Sequence, residues 1–196
     1  MDAKEKQIRE IMDKANNLNP KLNDYQADVK IDAEAQAGFL KLPFTINGKY
    51  YFKKPDKHRM VVDDAPEMIA KHLGRLGYRP HKLDDFTMSM LADEKIDDRD
   101  HWVIRLDKKS ESDFRGVTLW VDKETSTIHR QVSNYKDNGK IEVDIKWRKD
   151  GEFNVMEEVV AKLEFPKHGG SANVDAKYEK YAFNVGLDDK VFEEAR

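Results

Sequence analysis

The side chains that most often carry chemistry in proteins occur in this sequence, but they are not spaced as a reactive site requires. Six histidines are present, and no two of them have the HExxH spacing or another local arrangement that binds a metal ion. Glycine-rich phosphate loops and the GxSxG element of serine hydrolases do not occur either. The chain has no cysteine, which excludes disulfides and thiolate chemistry. The sequence therefore predicts no enzyme activity, no metal site and no cofactor.

Two acidic clusters and one basic pair remain as candidates for binding an ion or a head group. The clusters at 84–85 and 97–100 lack the alternating ligands and the glycine of a calcium loop, so solvated turns are the preferred interpretation. His58 and Arg59 follow a turn that contains Pro55, and a guanidinium suits an anionic head group. A surface charge at the end of a strand is the simpler interpretation of this pair.

Composition is typical of a folded globular protein. Hydrophobic residues make up 39% and charged residues 37% of the 196 residues, and the formal net charge is -3. This length suits one core, so a single domain over residues 1–196 is expected. No basic stripe matches a phosphate backbone, which argues against nucleic acid as a partner. The start lacks the apolar core of a signal peptide, so either the protein is cytosolic or an export signal has been removed.

Two segments have the spacing of apolar residues that predicts an amphipathic helix. The first covers residues 2–18 and ends before Pro20, and the second covers about 66–76 and begins at Pro66. Each helix has one apolar side, which must lie on another apolar surface. The apolar positions are Ile8, Ile11, Met12, Ala15 and Leu18 in the first helix, and Met68, Ile69, Leu73 and Leu76 in the second.

Most of the remaining chain alternates between apolar and polar residues with the period of a strand. Strands are expected from residue 25 onward, and an antiparallel meander over residues 85–184 with hairpin loops at 122–125 and 136–139. The Asn47-Gly48 pair predicts a bulge or turn. The clearest strand has apolar residues on one face and charged residues on the other; the apolar ones are Ile141, Val143, Ile145 and Trp147.

These elements predict an α+β fold in which a curved antiparallel sheet of about nine strands has helices over its concave apolar face. Two short helices cannot cover so wide a sheet, so an apolar pocket for a hydrophobic ligand is expected beneath them. A dry core filled by the helices and large side chains is the alternative that the pattern leaves open. The expected pocket residues are Leu42, Phe44, Met60, Met68, Ile69, Leu73, Trp102, Ile104, Leu119, Val143, Ile145 and Trp147.

Four short motifs follow one another in an order typical of a known family. They are LNDYQADV at 22–29, GKYYFKKPDKHRM at 48–60, LWVDKET at 119–125 and FNVGLDDKVF at 183–192. In this order they resemble the first strand, the strand with a basic pair and proline, the hairpin and the C-terminal end of the outer-membrane lipoprotein carrier and lipoprotein-sorting proteins, the LolA-like and LolB-like family.

The resemblance implies an unclosed half-barrel that is not an enzyme and holds a lipid, an acyl chain or a lipoprotein as a monomer in the periplasm or elsewhere outside the cytoplasm. In the proteobacterial carrier, an arginine before the signature proline bonds to the helical cover as a latch. Lys54 has that position here and lacks the fork geometry of arginine. Lys54 and Arg59 are therefore candidates for a lid latch or a head-group contact. An envelope sensor or interaction module of the same fold, which binds another protein, is the alternative.

Overall fold

The computed structural model describes residues 2–37, 40–63, 80–168 and 170–193, and a single wide antiparallel sheet dominates these residues. Its strands are β1 (Asp24–Ala37), β2 (Leu40–Lys53), β3 (Lys57–Val62), β4 (Phe86–Met90), β5 (Glu94–Ile96), β6 (Arg99–Lys108), β7 (Phe114–Asp122), β8 (Ile128–Tyr135), β9 (Lys140–Asp150), β10 (Phe153–Phe165) and β11 (Gly170–Phe183). Short 3-10 turns lie at Leu83–Asp85, Lys136–Asn138, Pro166–His168 and Asp189–Phe192.

The strands follow the order β3-β2-β1-β11-β10-β9-β8-β7-β6-β4, and β5 pairs with β6. Strands β3 and β4 are the two ends of this order and do not pair with each other, so the sheet is not closed. The predicted α+β fold with an unclosed antiparallel half-barrel is confirmed. Over the residues that the structure describes, the sheet has 11 strands rather than about nine. The three-residue strand β5 is too short to produce a recognisable alternation in the sequence.

One face of the sheet is apolar, as the alternation predicts. In β9 the side chains of Ile141, Val143 and Ile145 are buried, whereas those of Glu142 and Asp144 between them are only half-buried. The same alternation runs through the neighbouring strands, and the two clusters of buried apolar residues lie on one side of the sheet. We call this side the inner face and the opposite, charged side the outer face.

The N-terminal helix α1 (Ala3–Asn16) lies against one end of the inner face. The carboxylate of Asp2 caps it by accepting a hydrogen bond of 2.7 Å from the backbone N–H of Glu5. The guanidinium of Arg9 contacts Asp84 at 2.9 Å beside β4. Four of the five predicted apolar positions are buried in α1, namely Ile8, Ile11, Met12 and Ala15, whereas Leu18 lies beyond the end of the helix and is half-buried. No helix in the described part of the chain is long and apolar enough to cross a membrane.

Two expectations about local structure are wrong. Asn47 and Gly48 form neither a turn nor a bulge, because β2 continues through them in regular register with β1 and β3. The sequence also predicts the last strand only from Tyr178 to Phe183, whereas β11 begins at Gly170, since its first residues are small and polar and do not alternate clearly. The predicted cover helix at about 66–76, with Met68, Ile69 and Leu73, lies outside the described residues.

Gly48 lies where β2 and β3 approach each other closely. A Cβ atom at Gly48 would lie 2.3 Å from the carbonyl oxygen of Val61, so a larger residue forces the strands apart. Gly48→Ala is therefore expected to lower the free energy of unfolding by about 1–3 kcal/mol, measured by urea denaturation.

Gly170→Ala is the matched control for this substitution. The nearest atom to a Cβ at Gly170 is the carbonyl oxygen of Gln36 at 3.9 Å, so the free energy of unfolding should change by no more than about 0.5 kcal/mol. Equal losses of stability at the two glycines would contradict the close-approach explanation.

Candidate functional site

The inner face is divided into two halves that are packed differently. One half, on β4 and β6–β8, is covered by α1, and we call it the α1-packed half. Of the predicted pocket residues, Ile104 and Leu119 are completely buried there, and Trp102 packs against the same cluster. A ligand could reach Ile104 or Leu119 only if α1 moved away.

The other half of the inner face, on β1–β3 and β9–β11, contains the remaining described pocket residues, and we call it the trough half. No residue of α1 belongs to its buried cluster in the described part of the chain. Large side chains at its margin are only partly buried, which leaves apolar surface accessible. Of the predicted pocket residues, Val143 and Ile145 are buried in this cluster and Phe44, Met60 and Trp147 pack against it.

The strand register places four residues of the trough half in one row across the sheet, with two alanines between two leucines. Leu42 pairs with Ala35, Ala35 with Ala172, and Ala172 with Leu163, so the row crosses β2, β1, β11 and β10. Its outer leucines are separated by three strand spacings of about 4.8 Å, or roughly 14 Å. Because two methyl groups form the floor between two isobutyl side chains, the row has the cross-section of a shallow trough. We call these four residues the alanine trough.

Along the direction of the strands, the alanine trough has an exposed end at Leu40 and Leu42 and a buried end at the next row of inner residues. Leu42 is 53% exposed and the adjacent Leu40 is 50% exposed, which makes them two of the most accessible large apolar side chains described. In the next inner row Ala33 and Ala161 are 8% and 1% exposed. Sequence patterning identified Leu42 but not the alanines, because alanine is small and does not indicate a strand interior.

The outer face offers no comparable apolar surface among the described residues. Two shallow depressions of about 510 and 480 Å³ lie on it, and their walls are mainly charged side chains. In the larger one, the carboxylate of Asp28 contacts the ammonium groups of Lys49 at 3.0 Å and Lys180 at 3.1 Å. The hydrogen bonds from Lys49 and Lys180 lower the pKa of Asp28. Such a surface favours water over an acyl chain.

The outer face also brings three possible metal ligands together. His101, Asp122 and His129 each place one ligand atom within 4.8 Å of the other two. No spacing rule predicts this group, because its members come from three different strands.

Lys54, the residue at the proposed latch position, holds the chain that follows α1. Its ammonium group donates hydrogen bonds to the carbonyl oxygens of Asn19 at 2.9 Å and Pro20 at 3.0 Å. Asn19 is in turn bonded to the backbone of Asn154 through both its amide atoms, at 2.8 Å each. The turn after β2 is thus tied to the exit of the helix, as a latch would be.

Arg59 and two lysines hold the C-terminal segment against β2 and β3. The guanidinium of Arg59 donates to the carbonyl oxygen of Val191 at 2.8 Å and to that of Glu193. Lys53 and Lys57 contact the carboxylate of Asp189 at 2.7 and 2.8 Å, and the hydrogen bond from Lys53, followed by that from Lys57, lowers the pKa of Asp189 to about 2. Arg59 is therefore engaged with backbone in this structure.

Solved structures of similar fold and one family model match this chain. A family model described as "uncharacterized protein" matches residues 76–196. No curated protein matches the sequence. A DUF1329 family protein from Desulfovibrio piger is similar in structure, with a TM-score of 0.69, 14% identity and coverage of 96% of both chains.

Two further solved structures carry names that match the sequence resemblance. An outer membrane lipoprotein-sorting protein domain from Vibrio parahaemolyticus has a TM-score of 0.66 and 11% identity over 93% of this chain and 94% of the other. A LolA superfamily protein from Nitrosomonas europaea has a TM-score of 0.58 and 13% identity over 95% and 97%. The LolA-like resemblance seen in the sequence is confirmed at the level of the fold.

The hydrogen bonds of Lys54 predict a local effect of its removal. Lys54→Met should speed hydrogen exchange of the Leu22 amide about 10-fold, because that amide donates to the carbonyl oxygen of Asn19, which Lys54 also binds. A 10-fold change corresponds to about 1.4 kcal/mol, in the range expected for hydrogen bonds to a charged group at a partly exposed site.

Lys54→Arg is the control, since arginine can donate to the same two carbonyl oxygens. The exchange rate of the Leu22 amide should then stay close to the wild-type rate. An unchanged rate in Lys54→Met would show that Lys54 does not hold the segment.

Proposed function

We propose that this protein binds a lipid or acyl chain and is not an enzyme. The chain belongs to the family whose model matches residues 76–196, and it has the fold of the LolA-like proteins. The ligand would lie along the alanine trough and over the partly buried side chains of the trough half. The single observation that carries this proposal is the row of two leucines and two alanines, which leaves a low apolar floor between raised apolar walls.

The size and chemistry of the trough suit a hydrocarbon chain. An extended acyl chain is narrower than the roughly 14 Å between the β2 and β10 strand axes, so it fits between Leu42 and Leu163. Burial stabilises a lipid chain by about 0.8 kcal/mol per methylene. A chain with about 12 buried methylenes would gain on the order of 10 kcal/mol before ordering costs, which gives tight but reversible binding.

Exposed leucines at the mouth support entry from that end. Leu40 and Leu42 are at least 50% exposed, and a pair of exposed leucines beside further apolar surface is typical of a binding site rather than of a closed core. The predicted amphipathic helix at about 66–76 would cover the ligand with Met68, Ile69 and Leu73. In the sequence these residues follow β3, which ends at Val62 in the trough half.

Lys54 would act as a latch rather than as a head-group contact. Its ammonium group binds two carbonyl oxygens at the exit of α1, so an anionic head group would have to displace both bonds. Arg59 is similarly engaged with the C-terminal segment. A movement of α1 away from the sheet would therefore require the Lys54 bonds to break.

The expected site of action is outside the cytoplasm, in the sorting or transport of lipids or lipoproteins towards the outer envelope. Its support is the structural similarity, over 93% of this chain, to the lipoprotein-sorting protein domain from Vibrio parahaemolyticus. The protein would work as a monomer that takes up and releases its ligand. A signal for export would then precede the sequence in the native protein.

The exposed leucines also favour a second candidate, an envelope interaction module of the same fold. An apolar side chain of a partner protein could rest between Leu40 and Leu42 in place of a lipid. A protein partner would need a wider contact than the alanine trough, because stable protein interfaces bury on the order of 1,600 Å².

Filling the alanine trough should abolish ligand binding. Ala172→Phe places a ring between Leu42 and Leu163, so the dissociation constant for a fluorescent fatty acid should rise at least about 10-fold, which is the loss of about two buried methylenes. The affinity is measured by fluorescence titration of protein from which lipid has been extracted, and circular dichroism checks that the variant is folded.

Asn173→Phe is the matched control, since the adjacent side chain is exposed on the outer face. A second pair is Leu42→Asp against Val160→Asp, because these residues are 53% and 47% exposed on opposite faces. Binding should weaken only in Ala172→Phe and Leu42→Asp. A wild-type protein that does not bind the fatty acid, or equal affinities within each pair, would refute lipid binding in the trough.

A further inference from the structure

Three side chains that can bind metal ions converge on the outer face, away from the trough half. His101 in β6 is the direct cross-strand partner of Asp122 at the end of β7, so both side chains emerge side by side. His129 lies in β8. Of the residues of β7, Val121 pairs with Ile128 and Trp120 pairs with Arg130, so His129 between them has no partner residue in β7. His129 is thus the extra residue of a β-bulge, a feature that redirects a side chain. The bulge brings His129 to the other two residues.

Burial distinguishes this group from the charged side chains of the outer face. His101 is completely buried and Asp122 is 1% exposed, whereas His129 is only partly buried. Charged and polar residues on an outer sheet face are normally solvated, and a buried carboxylate is costly unless it is paired or bound to a metal. The partly exposed His129 leaves the group reachable from solvent.

The distances fit the coordination sphere of one ion. Nε2 of His101 and Nδ1 of His129 lie 3.2 Å apart. Two imidazole nitrogens bound tetrahedrally at 2.0–2.1 Å from zinc are about 3.3–3.4 Å apart, so little movement is needed to bind one. The ligand atom of Asp122 lies within 4.8 Å of both nitrogens.

In each histidine, the ring nitrogen that would not bind the metal ion makes a hydrogen bond that orients the side chain, as is usual for metal ligands. Nδ1 of His101 lies 2.8 Å from the carbonyl oxygen of Arg99 and donates its proton to it, which leaves Nε2 with a lone pair. Nε2 of His129 lies 3.0 Å from the hydroxyl of Thr127, which can accept its proton and leave Nδ1 free to coordinate.

The carboxylate of Asp122 is oriented in the same way. Its Oδ1 accepts hydrogen bonds from the backbone N–H groups of Glu124 at 2.9 Å and Thr125 at 2.7 Å and from the Thr125 hydroxyl at 2.8 Å. Its Oδ2 is buried and makes no hydrogen bond with acceptable geometry among the described residues. Arg99 is 3.1 Å from Oδ2 as an ion pair, and the side chain of Arg99 is 44% exposed.

We propose that His101, Asp122 and His129 form a binding site for a divalent transition metal ion of the zinc class. Two imidazoles and one carboxylate are the ligand set that zinc takes when three protein ligands leave a fourth position for water or another group. A hydrogen-bonded chain from Thr127 through His129 to His101 accounts for the imidazoles without a metal ion, but it leaves Asp122 Oδ2 without a well-formed hydrogen bond. Metal coordination uses all three groups.

The test uses the full chain after treatment with a chelator. Cobalt(II) should bind with one equivalent and give the intense visible absorption of a four-coordinate site, and zinc should displace it. A 100-fold excess of zinc over its dissociation constant should raise the midpoint of thermal unfolding by about 5–10 °C. His129→Gln should abolish the cobalt spectrum, and Thr127→Val should weaken zinc binding about 10-fold by removing the support of His129.

His81→Gln is the matched control, because His81 is another partly buried imidazole in the described residues, packed against Phe86 and Phe114 away from this group. It should retain the cobalt spectrum and the zinc-induced shift of the unfolding midpoint. His129 is chosen over the completely buried His101 so that folding is preserved, and circular dichroism verifies it. A wild-type protein without a cobalt spectrum, or equal spectra in His129→Gln and His81→Gln, would overturn the proposal.

Discussion

The need to cover a wide apolar sheet face determines most of this structure. An antiparallel sheet with one apolar face exposes that face to water unless another layer packs on it, and burial of apolar surface stabilises a protein by about 25 cal/mol per Å². Helix α1 covers the half formed by β4 and β6–β8, where its apolar stripe meets fully buried strand residues. The trough half retains partly exposed large side chains at its margin, and its alanines lower the surface where a ligand can lie.

Charged side chains lie on the outer face, and the large apolar clusters lie on the inner face. Cross-strand pairs such as Lys49 with Asp28 occupy the depressions there. Two segments outside the sheet are fixed at its end by cations: Lys54 binds the exit of α1, and Arg59 binds the C-terminal segment. The bonds of Lys54 connect the segment after α1 to the turn that carries the LolA-like signature.

Periodicity in the sequence was sufficient to predict the main elements because each has one apolar face. Helix α1, the alternation in β9 and the hairpins after β7 and β8 follow directly from it. The alanine trough could not be predicted, since it depends on which residues pair across four strands and not on the pattern within any one of them. The prediction of a bulge or turn at Gly48 is wrong. A glycine is needed there because the backbone of Val61 in the paired strand lies close to it, and this pairing cannot be seen in the sequence of one strand.

The same limit explains why the histidines gave no signal in the sequence. His101, Asp122 and His129 meet through cross-strand pairing and a bulge, and neither can be seen as a spacing along the chain. Of the predicted pocket residues, those in β2, β3 and β9 lie together in the trough half, whereas Ile104 and Leu119 lie under α1 because the helix packs at that end. Linear patterns indicated which face is apolar, but not which part of it is covered.

Lipid binding is tested most directly by mass spectrometry of the full-length protein purified without detergent. The organic extract should contain an acyl-chain compound in about one equivalent, and the protein should show the corresponding added mass under native conditions. Extraction should remove this mass, and incubation with a long-chain fatty acid should restore one equivalent. Protein that carries no lipid and takes up none after extraction would contradict the account, and the trough half would then be a closed apolar core.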